Sequence, residues 1–311
     1  SVEGGEVRGR FSVIGLAPDL IWRCRGQLAE INRDPAKSDD FDVVDDNPIE
    51  SLRALMAESA MQDTGGLPPM AAGLFGYFGY DMIRQIETIP DSTETVIDTP
   101  DSMLLRPSLI AIFDRLRDSI TLVTQIRPAD WDDAAGAWNV AQSRLSNAML
   151  ALEAPTPPTE AGGDDAVLPA PQSNMTKSDF TSIVAKARDY IRAGEIFQVV
   201  ISQRFSVPFH LPAFNLYRSL RRLNPSPFLF FFDFGGLSIV GSSPEILVRL
   251  RDDVVTIRPI AGTRKRGKDA EEDAANAEDM MRDVKERAEH RGKTRQHRCN
   301  IGPRGPWAPG P

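Results

Sequence analysis

Cysteine is almost missing: Cys24 and Cys299 are the only two in 311 residues. A disulfide framework needs more, so the chain reads as a protein of a reducing compartment, the cytoplasm. Long apolar runs are missing too. None approaches the roughly 20 residues that a membrane-crossing helix requires, which excludes a membrane protein. Positive charge is not in surplus: 36 Lys and Arg stand against 44 Asp and Glu, a net charge of -8. Phosphate-backbone binding needs the opposite balance, so nucleic acid is not expected as the main partner. The opening "SVEGGEVRGRF" has no Met, no cationic start and no apolar core. It does not resemble a signal peptide, and the missing Met points to a start internal to a longer protein. A hydrophobic content of 41% and a charged content of 26% are those of a soluble globular protein, suited to a small molecule or a protein partner.

Four segments follow from composition and periodicity. Residues 1–152 mix short strands and helices in an α+β pattern. "FSVIGL" and "DLIWRCRG" read as two strands ended by Gly and Pro, and "PIESLRALMAESAM" has helical spacing at Ile49, Leu52, Leu55 and Met56. "AAGLFGYFGYDMIRQIE" suits strands packed too closely to admit a Cβ. "SLIAIFDRLRDSITLVTQI" reads as a hairpin and "DDAAGAWNVAQSRLSNAMLALE" as an amphipathic helix. Residues 153–175, rich in Pro, Gly and acid, read as a linker.

In residues 176–290 a helix opens at Thr176 with Asp179 three residues on, a weakened capping box, and Gly194 is its expected C-cap. "EIFQVVIS", "PFLFFFDF", "LSIVGSSPEILVRL" and "DVVTIRPI" read as strands, and an acidic helix follows over "KDAEEDAANAEDMMRDVKERAEH". Residues 291–311 hold five cationic side chains, no acid and four prolines. This end reads as disordered or out of frame; a basic binding tail for RNA or a membrane is the alternative.

Two places invite chemistry. "RPIAGTRKRG" sets a Gly-Thr step, Gly262 and Thr263, after a strand and among four cations. Backbone N–H groups and a hydroxyl there can meet an anion, and glycine allows close approach. The plain alternative is a solvated basic turn. Glu286 and Glu289, three apart on the acidic helix, share a face, and oxygen ligands at that spacing suit Mg²⁺; the alternative is a solvated acidic face.

Taken in order and spacing, "AGEIFQVVISQRF", "NPSPFLFFF", "GSSPEILVRL", "RPIAGTRKRG" and "DVKERAEH" resemble the anthranilate synthase component I family of chorismate-utilising enzymes. "GRFSVIGLAPDLIW" and "GLFGYFGYDMIR" are similar to its N-terminal domain, and the resemblance runs from Ser1 to His290. It implies an α+β fold of orthogonally packed antiparallel sheets flanked by helices. It also implies chorismate as substrate, Mg²⁺ at the ring carboxylate, and ammonia from a glutamine amidotransferase subunit. The product is anthranilate, the first committed step towards tryptophan.

By this resemblance Thr263 contacts substrate beside Gly262 and Ala261. The sister aminodeoxychorismate synthases carry a lysine nucleophile where Ala261 stands, and alanine cannot serve. Gln198 stands where water-adding relatives carry a lysine base, and a carboxamide cannot activate water. Small packing at Ala261 and an edge-strand polar role at Gln198 are the bland alternatives. Glu286 and Glu289 match part of the metal site. Ser1, Pro227, Phe228 and Leu229 match a pocket through which L-tryptophan inhibits, and a simple turn is the alternative for "NPSP". After His290 the family continues with a strand, a catalytic histidine and further glutamates. His210, His290 and His297 do not stand in that motif, so the fold is expected to be incomplete at the C-terminus and the chain inactive as it stands. Aminodeoxychorismate synthase, or a non-catalytic tryptophan- or subunit-binding fragment, are the other readings.

Overall fold

The structure, a computed structural model, describes residues 9–61, 65–68, 70–90, 95–127, 133–155, 169–251, 254–257, 264–265, 267–284 and 286–287. Six strands make one antiparallel sheet: β1 (Phe11–Arg25), β2 (Leu28–Asn32), β3 (Asp42–Val44), β4 (Phe75–Phe78), β5 (Ser102–Asp114) and β6 (Ser119–Thr124). Their order is β3-β2-β1-β5-β4, and β6 also pairs with β5. Helix α1 (Pro48–Ser59) lies between β3 and β4 in sequence, and α2 (Ala134–Glu153) follows β6. The expected hairpin is therefore β5–β6, and both expected helices form.

The two strands expected at residues 11–25 are one. β1 runs unbroken through Gly15 and Pro18 because a bulge between Pro18 and Leu20 absorbs the irregularity, with Ala17 at φ 47°. The extra residue has a geometric effect. Phe11 and Val13 stand opposite Asp114 and Ile112, whereas Leu20, Trp22 and Cys24 stand opposite Arg106, Leu104 and Ser102. The inward positions thus change from odd to even along β1 while those of β5 stay even. Without the bulge one half of the strand would turn its apolar side chains outward.

The core sits on this sheet. Leu20, Trp22, Cys24, Ala29, Ile31 and Leu104 pack with Leu55 of α1 and with Met82, and Ile110, Ile112, Val123 and Ala71 form a second cluster. Burying each such large side chain contributes about 1.5–3 kcal/mol. α1 starts where Asn47 Oδ1 accepts the N–H groups of Ile49 and Glu50, with Pro48 in its first turn. The indole Nε1 of Trp22 donates to Ser51 Oγ at 3.0 Å.

A charged side chain lies in the same interior. Arg106, 4% exposed, donates to Asp19 at 2.6 Å and to Glu58 at 2.7 Å. Arg127 also reaches Asp19, and Arg33 also reaches Glu58. A buried guanidinium is tolerated only when paired in this way.

Close packing at "FGYFGY" occurs as expected at both glycines: a Cβ on Gly76 would stand 1.9 Å from the Met103 carbonyl oxygen, and one on Gly79 would stand 2.7 Å from the Asp101 carbonyl oxygen. The residues beyond Phe78 are not strand. Tyr80–Gln85 is a 3-10 helix, closed by the bond from Ile86 N–H to Ile83 O.

The second part holds α3 (Lys177–Ala193), α4 (Ala213–Leu223), α5 (Ala270–Arg282) and three short antiparallel pairs. The pairs are β7 (Gln172–Ser173) with β8 (Phe205–Ser206), β9 (Phe228–Asp233) with β10 (Ser238–Ser243), and β11 (Arg249–Arg251) with β12 (Val254–Thr256). α3 has the full reciprocal box: Asp179 N–H donates to Thr176 Oγ1 and Thr176 N–H to Asp179 Oδ2, both at 3.1 Å. Gly194 at φ 76° ends it. Rings from α4, Phe214 and Tyr217, pack on Phe231 of β9, and Tyr77 of β4 meets Phe234 edge-on at 5.7 Å.

Two strand expectations fail here. "EIFQVVIS" forms no strand, since among the described residues nothing pairs with it, and Val200 is 85% exposed. "LSIVGSSPEILVRL" is divided into β10 and β11 around Pro244. Among the described residues beyond 168 only Ala187 and Ser226 are buried, so the apolar side chains of this part pack on one another only partially. The architecture is α+β, with every strand pair antiparallel.

Candidate active site

The Gly-Thr step and Ala261 lie outside the described residues, as do Glu289 and Ser1. Their neighbours are described. Arg264, bonded directly to Thr263, carries its guanidinium to the acidic helix. Its Nε lies 3.0 Å from Asp279 Oδ2, its Nη2 lies 2.8 Å from Asp283 Oδ2, and its Nη1 lies 3.5 Å from Glu286 Oε1. α5 ends at Arg282 with Asp283 extended as its C-cap, so the expected acidic helix is interrupted there and the Arg264 guanidinium, not one continuous helix face, brings Asp279, Asp283 and Glu286 together. Arg264 is thus drawn onto the carboxylates that follow it.

Other bonds fasten the same loop. Gly267 N–H donates to Asp273 Oδ1 at 2.9 Å, Lys268 N–H to Glu272 Oε2 at 2.7 Å, and Asn276 Nδ2 to the Lys265 carbonyl at 3.2 Å. Asp283 has two tasks. Its Oδ2 takes Arg264, and its Oδ1 accepts the N–H of Glu286 at 3.2 Å, restarting the helix after α5. The bonds that Arg264 donates to Asp279, and then to Asp283, hold its guanidinium above its ordinary pKa.

Glu286 is the side chain on which a cation question can be tested. Among the described residues its Oε1 has only the long contact to Arg264, and its Oε2 is buried with no hydrogen-bond partner. A buried carboxylate oxygen left in that state fits a hard cation, which takes one or two carboxylates and keeps several waters. Among the described residues no group of three or more His, Cys, Asp or Glu could hold a metal ion on its own. Asp279 and Asp283 converge on the guanidinium instead.

Gln198 lies on the irregular stretch after α3 and is exposed. Pro227 and Leu229 are half-buried and Phe228 is exposed, at the start of β9. The segment before them is held in place. Ser226 Oγ donates to the Ser243 carbonyl at 2.9 Å, and Ser242 Oγ donates to the Asn224 carbonyl at 2.8 Å. Two hydroxyls therefore fix "NPSP" against β10 as a stiff wall. Sequence reasoning missed Ser226, Ser242, Arg264, Asp279 and Asp283 as partners. Arg264 was visible only as one of four cations, and the i, i+4, i+7 acid spacing was the available signal.

Comparison with known proteins bears on the family and the fold. A family model described as chorismate binding enzyme matches residues 16–303, an interval that crosses the 153–175 segment and passes His290. The chain is 50% identical over 292 residues to the anthranilate synthase component 1 of Cereibacter sphaeroides, across 93% of this chain and 58% of that protein. It is 38% identical over 299 residues to the protein of that name from Pseudomonas putida, across 93% and 59%. The crystal structure of anthranilate synthase component I from Streptococcus pneumoniae TIGR4 superposes with a TM-score of 0.80 at 31% identity, covering 97% of this chain and 63% of that one. The chain therefore spans under two thirds of the length of these relatives.

Proposed function

Because the chain belongs to the family of chorismate binding enzymes, we propose that the whole protein acts as an anthranilate synthase component I. The likeness to relatives bearing that name carries this reading. In the proposed reaction an amine adds to the ring carbon beside the one that bears the carboxylate, the ring hydroxyl leaves, and pyruvate is eliminated to give anthranilate. Ammonia comes from a glutamine amidotransferase subunit, and the setting is cytoplasmic. Among the described residues no helix is long and apolar enough to cross a membrane.

Within this reading Gly262 and Thr263 receive a substrate anion, with Ala261 beside them offering no side chain for covalent attack. Gln198 supports the choice of ammonia over water because its carboxamide cannot remove a proton from water near neutral pH. Glu286, through its unpartnered Oε2, and Glu289 would contribute oxygens to Mg²⁺, which when bound neutralises carboxylate charge on the substrate. L-Tryptophan as an inhibitor would sit against Pro227, Phe228 and Leu229, and Ser1 belongs to the same expected pocket by resemblance. The fixed backbone of "NPSP" favours a rigid aromatic ligand.

Incubating the whole protein with chorismate, ammonium and Mg²⁺ should yield anthranilate without any lyase partner. Formation of aminodeoxychorismate instead would favour the sister activity that Ala261 disfavours. Tryptophan binding without turnover would favour a non-catalytic binding role.

A further inference from the structure

We infer that Arg264 is a positioning residue: its guanidinium gathers Asp279 and Asp283 at the end of α5 and sets Glu286 so that Oε2 is left for a divalent cation. The inference rests on the proposed function and deepens it. Three facts converge on this side chain. It adjoins Thr263 in the chain, and it holds Asp279 and Asp283 at 3.0 and 2.8 Å, residues fifteen and nineteen positions further on. It also meets Glu286 on Oε1 alone, so the one orphaned buried oxygen found among the described side chains is the other oxygen of the same carboxylate. Only a planar fork with several fixed N–H directions can serve three carboxylates at once; a lysine ammonium is a point charge on a flexible stem. Asp283 extends the effect, because the carboxylate that takes Arg264 also caps the turn that carries Glu286.

Charge alone predicts the reverse of positioning. A guanidinium beside a cation site repels the cation, so deleting it should tighten binding, and replacing it by lysine should change little. Positioning predicts loss in both cases. The experiment is titration of the chain with Mn²⁺, followed by the electron paramagnetic resonance of the free ion. The proteins are the unaltered chain, Arg264→Lys, Arg264→Gln and Glu286→Gln, each checked for fold by circular dichroism. Partners that orient a metal-binding carboxylate typically change affinity by about 10–100-fold when removed. Arg264→Gln and Glu286→Gln should each weaken Mn²⁺ binding in that range, and Arg264→Lys should weaken it by a smaller factor. If Arg264→Gln does not fold, the charge-conserving Arg264→Lys decides the matter.

Tighter or unchanged binding in the Arg264 variants overturns the inference, as does unchanged binding in Glu286→Gln. None of these outcomes touches the identity of the product made from chorismate, which the ammonia-dependent assay tests separately.

Discussion

The indole of Trp22, at the centre of the sheet, donates its N–H to the hydroxyl of Ser51 on α1, 3.0 Å away and buried. One hydrogen bond thus sets how the helix sits on the strand. Ser51→Ala leaves the indole N–H buried without an acceptor, which costs about 1–3 kcal/mol. Urea unfolding should show a lower midpoint at unchanged slope. An unaltered midpoint would mean that the indole finds another acceptor.

Arg106 is the buried charge on which two carboxylates depend. Arg106→Ala leaves Asp19 and Glu58 facing an uncompensated interior, and removing one partner of such a group costs about 3–5 kcal/mol. Thermal unfolding should separate this variant clearly from Lys37→Ala, whose partner Asp34 lies on the surface.

Acid should reach the same cluster through Glu58. Hydrogen bonds from Arg33, and then Arg106, outweigh burial and lower its pKa from 4.5 to about 2. A depressed carboxylate contributes stability that is fully present above the unfolded pKa and is lost as pH falls through the folded one. The window is therefore between about pH 4.5 and pH 2. Denaturant titrations across it should show stability falling with pH, and Glu58→Gln should flatten that fall. An equally steep fall in the variant would assign it to other carboxylates.

Gly76 leaves no room. With a built Cβ 1.9 Å from Met103 O and 2.9 Å from Leu104 Cα, Gly76→Ala must push β4 off β5. Overpacking against backbone should destabilise by about 3 kcal/mol or more. A thermal midpoint matching the unaltered protein would show that the β4–β5 pairing is looser than its register.

At Gln198, lysine is the informative change. Gln198→Lys introduces a base of the kind the proposed chemistry excludes. It should lower anthranilate formation by about a hundredfold or more, the lower end of what one acid-base group contributes, and a hydroxylated chorismate isomer should appear. Chromatography of the products reads both effects.

Much of the fold was legible because its signals are local. Thr176, Asp179 and Gly194 announce α3 at both ends, and alternating apolar residues around a short turn announce β5–β6. β1 is not legible as one strand because Gly15 and Pro18 look like strand ends, whereas a bulge accommodates them; a bulge depends on the partner strand and leaves no local mark. "EIFQVVIS" departs from its strand pattern for the converse reason, since an apolar run becomes a strand only when another backbone pairs with it.

The site was legible as residue types and not as partnerships. The expectation for Glu286 rests on the "DVKERAEH" resemblance, since its spacing alone suits a solvated acidic face; its engagement with Arg264, twenty-two positions earlier in the chain, is a tertiary fact. The hydroxyls of Ser226 and Ser242, which fix "NPSP" to β10, were likewise hidden.

The most direct test of the account is the identity of the product that the whole protein makes from chorismate, ammonium and Mg²⁺, read by chromatography and mass spectrometry for the unaltered protein and for Thr263→Val. Anthranilate from the first, with at least a tenfold loss in the second as expected when a hydroxyl contact to a charged group is removed, is the predicted result. A product aminated or hydroxylated at any other ring position, or an unimpaired Thr263→Val, would contradict it.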